Sequence, residues 1–198
     1  MYPTQVVKYP EYYPHLSQIV YAPKPYISTL EHHKSGTKDE YSPKIYYSKM
    51  GEDKTKYFAG PMIELVEKLK QKRLIPEKGI VTAIPCHQQD APPSLTLIGI
   101  CHELAQKFSY RYEQVLERKR TIRKSTRVET LQERYENVKD SFSVNRQLAN
   151  HEKVLLIDDV KTTGISLLEA TRVLLLAGAS EVFPVVLGIN NCGDKIEL

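Results

Sequence analysis

The sequence predicts an α/β fold. One doubly wound, mainly parallel sheet carries helices on both faces, and a tyrosine-rich N-terminal layer covers one side. Three observations predict it. The short apolar runs Ile80-Val81-Thr82-Ala83-Ile84, Val154-Leu155-Leu156-Ile157 and Val182-Phe183-Pro184-Val185-Val186-Leu187 have the character of buried strands. Stretches of helical period precede or separate them. Ten of the 13 tyrosines and six of the 12 prolines fall within residues 1–57, which sets that part apart.

Size and composition bound the function. A chain of 198 residues suffices for one α/β domain with a sizeable core. Its hydrophobic content of 41% and charged content of 26% suit a globular protein. No apolar run approaches the roughly 20 residues of a membrane span. The first residues, MYPTQVVKYPEYYP, lack a signal-peptide core, so a cytoplasmic protein is expected. Cys86, Cys101 and Cys192 are widely spaced and suit neither a disulfide framework nor a zinc site. A net charge of +4 tolerates an anionic ligand without implying nucleic acid.

In chain order, residues 16–21 and 44–48 read as short strands, with Gly36-Thr37-Lys38-Asp39 as a turn between them. His32-His33 has no third ligand nearby and reads as a solvated pair. The tyrosines could stack on a base or sugar, or serve core or subunit packing. Residues 1–57 are expected to form a layer or hood on a core spanning 58–190. Gly60-Pro61 opens a helix with proline in its first turn, and Met62, Ile63, Val66 and Leu69 follow at helical spacing. A buried-type strand over 80–84 stops at Pro85, and Pro85-Cys86-His87-Gln88 then lies at the edge where open α/β sheets place ligands. An ordinary strand-ending loop is the alternative. Ser94 opens a further helix with Leu95, Ile98, Cys101, Leu104, Ala105 and Phe108 on one face.

Residues 111–127 carry seven Lys or Arg (Arg111, Arg118, Lys119, Arg120, Arg123, Lys124, Arg127) against Glu113 and Glu117, a balance of +5. This segment, within 109–140, reads either as a flexible flap that closes on a polyanion or as a solvated basic surface or nucleic-acid patch. The run VLLIDDVKTTGISLL follows at 154–168. An apolar strand ends in Asp158-Asp159, Lys161-Thr162-Thr163-Gly164 makes a turn of small residues, and a helix begins at Ile165 and closes at Gly178. Backbone N–H groups and the positive end of the helix would face an anion there, while the acids stand where ribose hydroxyls or a hydrated cation could be held. Taken singly, the glycine or the threonine reads as ordinary turn or cap chemistry. The loop lacks the glycines of a Walker or dinucleotide motif. A last strand covers 181–188, and Pro184 predicts a free edge or a bulge in it.

Asp158-Asp159-Val160-Lys161-Thr162-Thr163-Gly164-Ile165-Ser166 resembles the phosphoribosyl-pyrophosphate (PRPP) motif of type I phosphoribosyltransferases. Glu133-Arg134-Tyr135-Glu136-Asn137-Val138-Lys139-Asp140-Ser141-Phe142 is similar to the Arg-x-x-Asn-Val-x-x-x-Phe pattern of the competence protein ComF family. That likeness covers roughly residues 46–189 and is strongest in the last sixty. The cysteine-rich N-terminal zinc module of that family is missing. Asp90-Ala91-Pro92-Pro93-Ser94 stands where an Arg-Gly-Phe-Asn-Gln run is expected.

The resemblance implies transfer of ribose 5-phosphate from PRPP to a base-like nitrogen acceptor, with release of pyrophosphate. It implies Asp158 and Asp159 as catalytic residues on the ribose. Lys161, Thr162, Thr163, Gly164, Ile165 and Ser166 would hold the 5-phosphate, and Pro85, Cys86, His87, Arg123 and Lys124 the pyrophosphate. His87 could act as general acid. Mg²⁺ would be held through the ligand near Asp158 and Asp159, with no direct protein metal site. Asn190 and Asn191 could contact the acceptor or serve in turns. Family habit makes a homodimer plausible. Two other classes stay open: a non-catalytic PRPP or nucleotide sensor on the same fold, and a nucleic-acid-associated protein using residues 111–127.

Overall fold

The computed structural model describes residues 2–27, 39–124, 130–149 and 151–190. In chain order these form β1 (Thr4–Lys8), β2 (Ser17–Tyr21), β3 (Lys24–Tyr26), α1 (Tyr41–Lys49), α2 (Thr55–Gln71), β4 (Lys78–Ala83), α3 (Leu95–Lys107), β5 (Ser109–Tyr112), β6 (Leu116–Arg118), α4 (Leu131–Val138), β7 (Phe142–Val144), β8 (Lys153–Lys161), α5 (Ile165–Leu176) and β9 (Glu181–Asn190). The sheet runs β1-β2-β9-β8-β4-β5, with β3 also on β9. Only β1 and β2 pair antiparallel within it, and the other pairs are parallel. β6 and β7 form a separate two-stranded ribbon.

The alternation of β8 explains the layers. Val154, Leu155, Leu156 and Ile157 are all fully buried. Val154 and Leu156 pack with Leu167, Leu168 and Leu174 of α5. Leu155 and Ile157 pack on the opposite face with Met62 and Leu65 of α2 and Ile100 and Leu104 of α3. Each such side chain contributes about 2 kcal/mol by leaving water. A run apolar at every position therefore ends up in the middle of the sheet, as the sequence predicts.

Four local expectations are corrected. Residues 44–48 are helical, within α1, because Tyr41, Ser42, Ile45 and Ser48 bury one helical face. The Asp39 carboxylate accepts from the amides of Tyr41 (2.8 Å) and Ser42 (3.2 Å) and starts the helix. Helix α2 begins at Thr55, not at Gly60, so Pro61 lies inside it. The carbonyl that proline leaves unpaired belongs to Tyr57, which is exposed to water. β8 does not stop at the aspartates but continues to Lys161, held by pairing of Val160 with Gly188 and Lys161 with Ile189. β9 is an interior strand, and its register with β8 runs unbroken through Pro184, opposite Leu156. On its other side β9 meets only Tyr21 of β2 and the three residues of β3, an interrupted flank. The Ser94 helix starts as expected, the Ser94 hydroxyl accepting from the Leu97 amide (3.3 Å). His32, His33, Asn191, Cys192, Arg127 and residues 36–38 of the expected turn lie outside the described residues.

Candidate active site

Every described residue expected to hold PRPP lines one cavity of about 300 Å³ at the C-terminal ends of β4 and β8, while Asn190, an expected acceptor contact, does not. One wall is the turn from β8 into α5. Gly164 makes that turn with φ +85°, and a Cβ there would lie 2.7 Å from a Val7 methyl, so the position suits glycine on both counts. The amides of Thr162, Thr163 and Gly164 donate to nothing among the described residues. The Tyr9 hydroxyl donates to the Thr163 carbonyl (2.9 Å) and fixes the turn from the N-terminal side. Lys161 is buried and its ammonium donates to the Gln5 side chain, so it braces β8 against β1 behind the turn.

The aspartates stand at the floor. The Asp158 and Asp159 carboxylates accept from the following amides, Asp159 N (2.8 Å) and Val160 N (2.6 Å). Lys49 at the end of α1 places its ammonium 3.1 Å from Asp159. Burial, then the charge of Asp159, push the Asp158 carboxyl well above the usual carboxylate range. Burial opposes the charge on Lys49, but Asp159 and Asp158 outweigh it and raise that ammonium.

The opposite wall is made by side chains reaching main chain. Arg118 is 3% exposed, stacked 3.9 Å over Phe142. It donates to the carbonyls of Cys86 (3.2 Å) and Pro85 (3.4 Å) and to the Ser141 hydroxyl (2.6 Å). Burial lowers its guanidinium to about 10, against the charge of Asp158, so it stays cationic at neutral pH. Asn137 clamps the Arg123 peptide from both sides: its Oδ1 accepts from Arg123 N and its Nδ2 donates to Arg123 O, each 2.9 Å. Arg120 donates to the carbonyls of Asn137 (3.1 Å) and Lys139 (2.7 Å) at the end of α4. A capping box between Thr130 and Glu133 sets the start of that helix.

These contacts run through the basic segment. Over its described residues, 109–124 holds two strands and a clamped loop. Arg111 pairs with Glu113 and Glu152, away from the cavity. Arg118 is interior, and of the six described basic residues Arg118, Arg123 and Lys124 line the cavity. The loop after β4 is also partly spent on itself, since the Cys86 amide donates to the Pro92 carbonyl (3.3 Å). The His87 amide has no partner among the described residues. Burial, then Lys124 and Arg118, lower the His87 imidazole. Burial, then Asp159, raise the Cys86 thiol and keep it a poor nucleophile.

Among the lining residues to which sequence reasoning gave no part in holding PRPP are Lys49, Arg118, Arg134 and Asn137. Arg134 and Asn137 sit in the quoted pattern but carried no role there. Arg118 was hidden among exposed-looking cations, and nothing near Lys49 marks it. Among the described residues no group of three or more His, Cys, Asp or Glu could hold a metal, and no helix is long and apolar enough to cross a membrane.

No protein-family model and no curated protein matches this chain. Among solved structures it is similar to the allosteric regulatory enzyme of purine biosynthesis, with 22% identity, 66% of this chain and 25% of that one covered, and a TM-score of 0.41. It is similar to glutamine phosphoribosylpyrophosphate amidotransferase from B. subtilis, with 22% identity, 66% and 26% coverage, and a TM-score of 0.40. A Trypanosoma cruzi hypoxanthine phosphoribosyl transferase follows at 13% identity, 79% and 70% coverage, and a TM-score of 0.41. The chain spans about a quarter of the length of the first two.

Proposed function

We propose that this chain is a type I phosphoribosyltransferase related to the ComF family. It would move ribose 5-phosphate from PRPP to a nitrogen acceptor and release pyrophosphate. The observation that carries the reading is the pairing of unlike walls in one cavity. Three unpaired amides at 162–164 and the start of α5 face an anion. Asp158 and Asp159 line the same cavity as the cations Arg118, Arg123 and Lys124.

In this reading the 5-phosphate rests on the 162–166 turn. Asp158 and Asp159 hold the ribose hydroxyls and favour positive charge on the ring as its C1–O bond lengthens. Arg123 and Lys124, with Arg118 behind them, stabilise the diphosphate as it leaves. The two carboxylates are hard oxygen donors but too few to hold a cation alone, which fits Mg²⁺ bound largely through ligand oxygens and water. Bound there, Mg²⁺ would neutralise charge on the leaving group.

Isothermal titration of PRPP with and without Mg²⁺ tests the proposal. Micromolar, magnesium-dependent binding that Asp159→Asn removes is the expected result. Absence of binding at millimolar PRPP overturns it.

A further inference from the structure

Among the described residues of the N-terminal layer, Lys49 alone lines the main cavity. Helix α1 delivers it there. Ser42, Ile45 and Lys49 recur on one helical face. The Tyr41 hydroxyl donates to the Leu187 carbonyl of β9 (2.9 Å), and the Ser42 hydroxyl accepts from the Ile27 amide just past β3 (2.9 Å). Ile45 is fully buried over Gly188, where a Cβ would lie 3.2 Å from its Cδ1. Gly188 pairs with Val160, the chain neighbour of Asp159. A glycine in β9 thus lets α1 settle at the level of the acids, and the last residue of that helix meets Asp159 at 3.1 Å.

The ion pair has a direction. Lys49 approaches Oδ1 of Asp159, the same oxygen that accepts from the Val160 amide. Oδ1 of Asp158 likewise accepts from the Asp159 amide. The Oδ2 atoms of both acids have no hydrogen-bond partner among the described residues. Two nearby cations are committed elsewhere: Arg118 to Pro85, Cys86 and Ser141, and Lys161 to Gln5. Adjacent carboxylates repel each other, and an Asp159 side chain held by nothing would turn away from Asp158. An ammonium fixed on Oδ1 by an anchored helix opposes that rotation.

We infer that Lys49 is a positioning residue of the site. It holds the Asp159 carboxylate by Oδ1, so that Oδ2 is presented to a sugar hydroxyl of the ligand. This rests on the transferase reading above, in which the acids take the ribose. A carboxylate already aimed loses less freedom when the hydroxyl arrives, so the hydroxyl gains more from it. The N-terminal layer thereby takes part in sugar recognition, through a residue that itself stays on the acid.

The test is calorimetric and omits Mg²⁺, so that the chain's own groups are read. The probes are ribose 5-phosphate, its 2-deoxy and 3-deoxy analogues, and inorganic phosphate. The parent is expected to bind ribose 5-phosphate about tenfold tighter than each analogue, the gain of a hydrogen bond to a charged acceptor. Lys49→Met should bring the preference over at least one analogue to within about twofold. Its affinity for inorganic phosphate, which the 162–166 turn holds, should change by less than about twofold. A Lys49→Met protein that keeps its full preference over both analogues overturns the inference. So does one that loses inorganic phosphate in the same proportion as ribose 5-phosphate, because Lys49 would then act on the fold alone. A parent that binds ribose 5-phosphate without preferring it to either analogue overturns the inference as well. A parent that binds neither ribose 5-phosphate nor PRPP overturns the transferase reading, and the inference with it.

Discussion

The two walls of the main cavity are built in opposite ways. The 158–166 wall is a single strand-turn-helix whose ligand-facing groups are peptide N–H groups and adjacent carboxylates. The facing wall joins three distant stretches, 85–92, 116–124 and 134–142, and side chains hold them together: Arg118, Arg120 and Asn137, each donating to main-chain carbonyls. A main-chain wall tolerates most substitutions that respect its one glycine and its acids. A side-chain wall can fail at one residue, because each clamp serves several peptides at once.

The sharpest contrast is expected from the acids. Asp158→Asn with Asp159→Asn should lower transfer by at least about 100-fold with the fold intact, read by pyrophosphate release and circular dichroism. Next, Arg118→Met should cost about 3 kcal/mol of stability in urea unfolding, because the buried Pro85 carbonyl and Ser141 hydroxyl lose their donor. Equal stability of the two proteins would break the comparison.

Gly164→Ala should cost about 2 kcal/mol, from its positive φ and the collision with Val7, and should loosen β1 along with the turn. The acids also predict a pH dependence. The Asp158 carboxyl is raised in the folded protein. Its contribution to stability is therefore present below the unfolded value of about 4 and is lost as pH rises through the folded value. Asp158→Asn should melt higher than the parent at pH 8, and the gap should narrow toward pH 4. Binding of Mg·PRPP, which needs the ionised acid, should release protons at mildly acidic pH, seen as buffer-dependent heats. The smallest effect is expected from Asn137→Ala, about 1 kcal/mol or fivefold in pyrophosphate affinity, with little change in unfolding.

The sequence is most informative where structure is local. β8, its acids and the turn into α5 are legible because buried-strand character, paired carboxylates and a glycine turn occur within a dozen consecutive residues. α1 is not, because Lys44-Ile45-Tyr46-Tyr47-Ser48 has strand-like residues and only tertiary burial of Tyr41, Ile45 and Ser48 makes it helical. Hence Lys49, at its end, was invisible as a partner of Asp159. Arg118 and Arg111 look alike in a basic run. What distinguishes them is the Phe142 ring and the Pro85 and Cys86 carbonyls around one, and Glu113 and Glu152 around the other.

The N-terminal segment reaches the 161–164 turn through Gln5 to Lys161 and Tyr9 to Thr163, while Tyr13 donates to the buried Glu169 (3.2 Å), which also accepts from Arg172 and the Asp140 amide. Each of those N-terminal contacts joins residues more than 150 positions apart. Closing so long a loop is entropically slow. β1 must therefore wait, unsatisfied, until β8 and α5 exist to receive it. Pulsed hydrogen exchange during refolding should find the β1 amides protected after those of β8. The turn at 162–164, which Gln5 and Tyr9 brace, would take its final shape only after β1 has docked.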